Sequence, residues 1–324
     1  MPSLDDIRRP VSEEMKLFEQ HFKSAMKSNL GLLDFIINYI LRRKGKQIRP
    51  LFVFLSAKMI GDTTNSTYHA ASFIELLHTA TLIHDDVVDE SYERRGFFSI
   101  KALWKSKIAV LVGDYLLSRG LLLATEHKEF DLLSIMSEAV REMSEGELMQ
   151  MQKSRKLNIT KEEYFNIIRK KTATLISACT SSGARSVGAN QDTVEVFKKF
   201  GENVGMAFQI KDDLFDYNKK GIIGKPTGND IKEKKFTLPL IHALENGSVR
   251  DKNHIIKLIR RNHITSRDIQ EIIDFTVKRK GIEYAVEKMN NFKNDALNLI
   301  SSYPDNEAKK SMKMLVEFVI NRDQ

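Results

Sequence analysis

Apolar residues recur at three- and four-residue steps along nearly the whole chain, the spacing of a helix that buries one face. The pattern predicts helices over 15–28, 30–43, 51–60, 66–90, 108–127, 131–154, 161–187, 193–217 and 235–245. Strand-like alternation is not sustained anywhere, so the expected fold class is all-α. Breaks fall at 45–50, 61–63, 94–96, 158–160 and 188–190, and a long polar run occupies 218–234. Thr160 and Glu163 have the spacing of a capping box at the head of 161–187. Segments 66–90 and 161–187 are apolar on more than one face, which places them centrally in a large helical bundle.

Composition narrows this picture. The chain has 324 residues with only six prolines and sixteen glycines, and no Gly/Ser- or Pro-rich linker divides it. One large domain over 1–324 is expected, with 1–14 as a mobile N-terminal segment. The single Cys179 offers neither a disulfide nor a metal-binding spacing and is expected to be a small buried hydrophobe in a reducing, cytoplasmic setting. No apolar run follows a basic start at the N-terminus. The longest apolar stretches, 32–41 and 108–124, are interrupted by Asp34 and Asn38 and by Asp114 and Arg119, short of the ~18 uninterrupted residues of a membrane span. A net charge of +8 raises the question of nucleic acid. The basic residues are scattered, however, without a stripe of interleaved aromatics, so no nucleic-acid partner is expected. Their one tight cluster, 42–49, reads as a local anion site.

Two acidic runs carry the chemistry. Asp85-Asp86-Val87-Val88-Asp89 and Asp212-Asp213-Leu214-Phe215-Asp216 both read Asp-Asp-x-x-Asp at the ends of apolar helical segments. On a helix the first and fifth positions of each run project within about 40° of each other. Each run thus offers a carboxylate pair, and all six aspartates are candidate ligands. Such pairs suit Mg²⁺, which keeps waters and completes its shell with substrate phosphates. Two runs imply a diphosphate held between them. A second diphosphate would need cations instead. Lys46 and Arg49 lie three residues apart at a helix start, where free N–H groups also favour an anion. Arg94 and Arg95 follow the first run, and Lys171-Thr172 and Lys225 supply further donors.

With these residues in hand, the sequence resembles the trans-isoprenyl diphosphate synthases, in particular their long-chain polyprenyl members, from about residue 30 to 245. The resemblance rests on Gly45-Lys46-x-x-Arg49-Pro50, on His78-Thr79-Ala80-Thr81-Leu82-Ile83-His84 before the first run, and on Arg94-Arg95-Gly96. It continues through Glu145-Gly146-Glu147-Leu148, Lys171-Thr172-Ala173, Gly205-x-x-Phe208-Gln209 and Lys235-x-Thr237-Leu238-Pro239. It implies an isoprenoid-synthase bundle with a central apolar cavity, a homodimer, and Mg²⁺-dependent head-to-tail addition of isopentenyl diphosphate to an allylic diphosphate such as farnesyl diphosphate. Carried over, Asp85 and Asp89 hold two Mg²⁺ and Asp212 a third, about three per active site in all, each shared with substrate phosphate. Arg94, Lys171, Lys225 and Lys235 grip the allylic diphosphate. Lys46, Arg49, His78 and Arg95 hold isopentenyl diphosphate. Thr172 and the Gln209 amide offer oxygen dipoles to the allylic cation, the departing pyrophosphate accepts the proton, and His84 is a helix-face contact.

Product length depends on what lies below the first run. Thr81 is one turn below Asp85, and Ala80 lies about 7.5 Å down the axis on a flanking face. In the resembling family, aromatic residues at these positions stop growth early. Small ones imply a tunnel open to a product of about C30–C50, with about C40 the expectation, for quinone side chains. The floor would then lie deeper, at 121–123 or on 51–60, and product release would involve transient contact with a membrane surface. The alternatives are a shorter C15–C20 synthase, a class I terpene cyclase and a noncatalytic helical subunit. A cyclase's second metal motif resembles Asn/Asp-x-x-x-Ser/Thr-x-x-x-Glu, whereas here Asp212 leads to Asp216 and then Lys220. A complete set of acids and cations has no place in an idle subunit.

Overall fold

Residues 3–42, 45–94, 97–156, 158–217, 228–261 and 263–321 are described by a computed structural model. In chain order they form α1 (Leu4–Arg8), a 3₁₀ turn (Arg9–Val11), α2 (Ser12–Met26), α3 (Gly31–Leu41), α4 (Ile48–Ile60) and α5 (Asn65–Val88). A two-stranded antiparallel ribbon, β1 (Glu93–Arg94) with β2 (Phe97–Phe98), pairs Glu93 with Phe98. Then come α6 (Ile100–Glu126), α7 (Phe130–Lys156), α8 (Lys161–Ile168), a π-helical turn (Arg169–Ala173), α9 (Thr174–Ser186) and α10 (Gln191–Phe215). The chain ends with α11 (Asn229–Lys232), α12 (Leu238–Glu245), α13 (Val249–Ile259), α14 (Ser266–Lys278), α15 (Gly281–Leu299) and α16 (Glu307–Asn321). Apart from the ribbon, the regular elements of the described residues are all helical.

Three local results differ from the sequence expectation. Residues 3–14 are folded: Ser3 and Asp6 cap α1 reciprocally, and Ile7 and Val11 are fully buried, so two apolar side chains anchor the segment expected to be mobile. The predicted helix 161–187 is interrupted by the π turn, in which the Thr174 N–H reaches back to the Arg169 carbonyl. Finally, α6 starts eight residues before the predicted 108, but Lys105, at φ 69°, breaks it where the helical periodicity begins.

The chain contacts divide into two compact units, each discontinuous in sequence. The first comprises 1–138, 178–198 and 303–315, the second 139–177, 199–302 and 316–324. In the first, Leu76, Ala80 and Ile83 of α5 share a core with Val112 and Leu116 of α6, Ile36 and Ile37 of α3 and Met26 of α2. Two glycines let α6 lie close against α5: a Cβ at Gly113 would overlap the His84 ring, and one at Gly120 would stand 2.6 Å from Phe73. By length and composition α6 is apolar enough to cross a membrane. Two of its polar residues nevertheless bind protein, with Tyr115 Oη donating to the Lys27 carbonyl (2.8 Å) and Arg119 Nε to that of Ala25 (2.8 Å). Its outer side exposes Leu103, Val110, Leu111, Leu121 and Leu122. In the second unit, Tyr217, Ile231, Leu240 and Leu244 pack with Ile255, Leu258, Ile259, Ile269, Ile272 and Ile273. The C-terminal helices α13 and α14 thus form the core on which the segment following the second acidic run rests.

Candidate active site

In the first unit, Asp85 occupies the last turn of α5 and Asp89 caps its end, the Asp89 N–H donating to the Asp85 carbonyl (2.8 Å). Both side chains are exposed, while Asp86 between them is buried. His84 covers Gly113, with Nε2 3.3 Å from the Val110 carbonyl, which makes it the helix-face contact expected. Lys46 is exposed just before α4, and Arg49 is the second residue of that helix. Gln47, at φ 48°, turns the chain between them, and Arg8 Nη2 donates to the Lys46 carbonyl (2.7 Å), so the N-terminal segment fixes the backbone of this cation pair. His78 is buried on α5, and Thr81 donates to its carbonyl (2.9 Å). Ala80 is only 2 % exposed within the apolar core of α5 and α6. Arg94 belongs to β1, but its side chain, Arg95 and Lys225 lie outside the described residues.

In the second unit the three aspartates of one run have three different environments. Asp212 is half-buried near the end of α10. Asp213 is buried: its Oδ2 accepts from Tyr164 Oη (2.6 Å) and its Oδ1 from Gln209 Nε2 (2.8 Å). Burial pushes its carboxyl up to about 7 against the pull of those two bonds. Asp216 lies one residue past the end of α10, so helical spacing no longer relates it to Asp212. Its two oxygens accept the N–H groups of Asn229 (2.8 Å) and Asp230 (3.1 Å), which ties the start of α11 to the end of α10. Spacing alone counts Asp213 and Asp216 as metal ligands; in the folded chain their oxygens are engaged by protein donors.

Lys171 and Thr172 stand in the π turn, which packs between two glycines. A Cβ at Gly146 on α7 would meet the Lys171 nitrogen at 2.8 Å, and one at Gly205 on α10 would overlap the Ala173 backbone. A turn with one extra residue needs this room, and such turns frequently mark functional positions. Lys171 Nζ pairs with Glu147 (2.5 Å) and reaches Gln150 (3.3 Å). Neighbouring Lys170 is held by Glu142 (3.0 Å) and Glu145 (2.5 Å). Thr172 Oγ1 donates to Gln209 Oε1 (2.7 Å). Lys235 pairs with Glu233 (2.6 Å), and its N–H donates to the Asp230 carbonyl (2.8 Å).

Sequence reasoning missed Tyr164, Glu147 and Asp230. Tyr164 reads as one more apolar position of a helix, and Glu147 as part of a motif without a partner. Asp230 sits in a polar run that looked like loop; burial, and then the Asp216 charge, push its carboxyl up to about 6. Among the described residues no three His, Cys, Asp or Glu side chains form a closed metal-binding group. The hard carboxylate oxygens of Asp85 and Asp89 in the first unit, and separately of Asp212 in the second, are of the donor type that suits Mg²⁺ completed by water and substrate phosphate.

Residues 31–276 match the Polyprenyl synthetase family, a span that contains both acidic runs, the π turn and Lys46, Arg49, Arg94, Arg95, Lys171, Lys225 and Lys235. The chain belongs to the polyprenyl synthetase family. It is a prenyl diphosphate synthase, a prenyltransferase. It is 30% identical over 322 residues to the octaprenyl diphosphate synthase of Haemophilus influenzae, covering 99% of this chain and 98% of that one. Among solved structures, a decaprenyl diphosphate synthase from Rhodobacter capsulatus superposes with a TM-score of 0.93 at 31% identity, over 99% of this chain and 100% of the other. A polyprenyl synthase from Caulobacter crescentus complexed with calcium and isoprenyl diphosphate follows at 0.89 and 30%, over 99% and 98%. The geranylgeranyl pyrophosphate synthase of Bacteroides thetaiotaomicron gives 0.83 at 35%, over 98% and 99%. Polyprenyl synthetases similar to this chain thus differ in the length of product they are named for.

Proposed function

We propose that this polyprenyl synthetase adds isopentenyl diphosphate repeatedly to an allylic diphosphate primer, with Mg²⁺ as cofactor and an all-trans product of about C30–C50, about C40 by the small residue at Ala80 one and a half turns below Asp85. The observation that carries this reading is the occurrence, within one family-matched span, of both aspartate runs and of cations enough for two diphosphates. Asp85, Asp89 and Asp212 hold the metal ions, which supply charge to the leaving pyrophosphate. Lys171, Arg94, Lys225 and Lys235 bind the allylic diphosphate, and Lys171 exchanges its Glu147 partner for a phosphate oxygen. Lys46, Arg49, His78 and Arg95 hold isopentenyl diphosphate. The allylic C–O bond breaks with both electrons going to pyrophosphate. The alkene of isopentenyl diphosphate attacks the cation, and pyrophosphate takes the proton that restores the double bond. Preorganised charge at the leaving group is the largest lever on such a step. A second copy of the chain covers the exposed apolar side of α6, and the protein works in the cytoplasm.

The test is incorporation of radiolabelled isopentenyl diphosphate with a C15 primer, with the products resolved by chromatography. Long products that disappear in excess EDTA are expected. Activity that survives EDTA, or a product ending at C15 or C20, would remove the metal or the chain-length part of the reading respectively.

A further inference from the structure

Four side chains of the second unit form one hydrogen-bonded series. Tyr164 Oη donates to Asp213, Gln209 Nε2 donates to the other oxygen of Asp213, and Thr172 Oγ1 donates to Gln209 Oε1, at 2.6, 2.8 and 2.7 Å. The series runs from the interior outward, since Tyr164 is 3 % and Asp213 6 % exposed while Gln209 and Thr172 are half-buried.

Its direction follows from the donor inventory of each group. An amide can bind either way round, and a hydroxyl has one proton and two lone pairs, but a carboxylate only accepts. Asp213 therefore takes the amino end of Gln209 and leaves the carbonyl end for Thr172. A proton on the Asp213 oxygen facing Tyr164 would not change this, because the oxygen facing Gln209 still accepts. Thr172 must spend its only proton on Gln209. What it retains is an electron-rich oxygen, suited to a positive charge and unable to donate to a phosphate. Because Thr172 lies in the π turn beside Lys171, this oxygen stands next to the residue assigned to the allylic diphosphate.

We infer that Tyr164 and Asp213 are positioning residues for prenyl transfer: they fix the Gln209 amide so that Thr172 presents only its lone pairs to the allylic cation. The inference rests on the proposed reaction. It assigns Asp213 to the polarity of the cation site instead of to a metal ion, and it gives Tyr164 a role.

The experiment is a double-mutant cycle in the full-length enzyme. An Asn at 213 can itself bind either way round, so Asp213→Asn should free Gln209 to turn. It is expected to lower kcat by at least ~10-fold, with the KM of both substrates and the Mg²⁺ concentration for half-maximal rate within about twofold of wild type. If Asp213 acts through Gln209, then on a Gln209→Leu background the same substitution should change kcat by less than about twofold. Should Asp213→Asn fail to fold by circular dichroism, Tyr164→Phe takes its place, with a loss of roughly threefold that likewise vanishes on the Gln209→Leu background. A raised Mg²⁺ requirement, losses that add across the cycle, or an unchanged kcat would each overturn the inference. A wild-type chain that incorporates no isopentenyl diphosphate would instead fell the underlying reaction, and this inference with it.

Discussion

Asp212 and Asp216 have the same side chain four positions apart, and the folded chain treats them differently. Asp216 satisfies two backbone N–H groups that would otherwise be left open at the start of α11. Asp216→Ala should therefore lower the unfolding free energy by about 1–2 kcal/mol, as loss of a helix cap does. Asp212→Asn should leave stability alone and cut turnover by at least ~100-fold, because it removes charge from the leaving-group site. Urea denaturation and labelled-substrate incorporation on the two variants separate these effects, and an Asp216→Ala unfolding curve that overlays wild type would contradict the assignment. Residue type and spacing made the acidic runs legible in the sequence. The Gln209–Asp213 pair follows from the four-residue spacing within α10, but the other donors to Asp213 and Asp216 come from Tyr164 and residues 229–230, whose approach depends on packing and could not be read from spacing.

Among the elements, the π turn best shows what periodicity can and cannot reveal. Most helices were legible from the three- and four-residue spacing. One extra residue in 161–187 shifts the apolar face by only about 100°, and a helix that is apolar on several faces hides that shift. Its cause lies elsewhere in the sequence, in the space left by Gly146 and Gly205. Gly205→Ala should destabilise the protein by about 1–3 kcal/mol through overpacking, read as a lower midpoint in thermal unfolding. The turn is also braced by charge. Burial works against ionisation of Glu142, but Lys170 and Arg169 hold its carboxyl below the ordinary glutamate range. An acid with a depressed folded-state value contributes stability that is fully present above its unfolded value, about 4.3, and is lost as pH falls through the folded one. Glu142→Gln and wild type should accordingly differ in unfolding free energy at pH 7, and the difference should shrink as the pH falls below about 4.3. A difference independent of pH would point to packing instead of charge.

For the molecule as a whole, the sequence showed a helical protein without a linker, and the boundaries of the two compact units explain why none was visible. Those at 138/139, 177/178, 198/199 and 315/316 fall inside α7, α9, α10 and α16, where no change of composition marks them. Ala80→Phe puts a ring beside the apolar core that α5 shares with α6. With a C15 primer its products should be shorter than those of wild type by several five-carbon units, and equal lengths would show that growth runs along another path. Leu111 lies on the exposed apolar side of α6. Leu111→Glu should convert a species of twice the 37.2 kDa chain mass to one of 37.2 kDa by light scattering, whereas a wild-type monomer would refute pairing through that side. Cys179 has one more consequence at this scale. It is fully buried, and burial pushes its thiol up to about 12, so the thiolate that reacts with alkylating or disulfide reagents is scarce at neutral pH and out of reach. Since the sequence holds no other cysteine, the native protein is a ready background for site-directed spectroscopy. A cysteine introduced at an exposed position such as Leu111 would be the one thiol to take up a spin label or fluorophore, with no native residue to remove first.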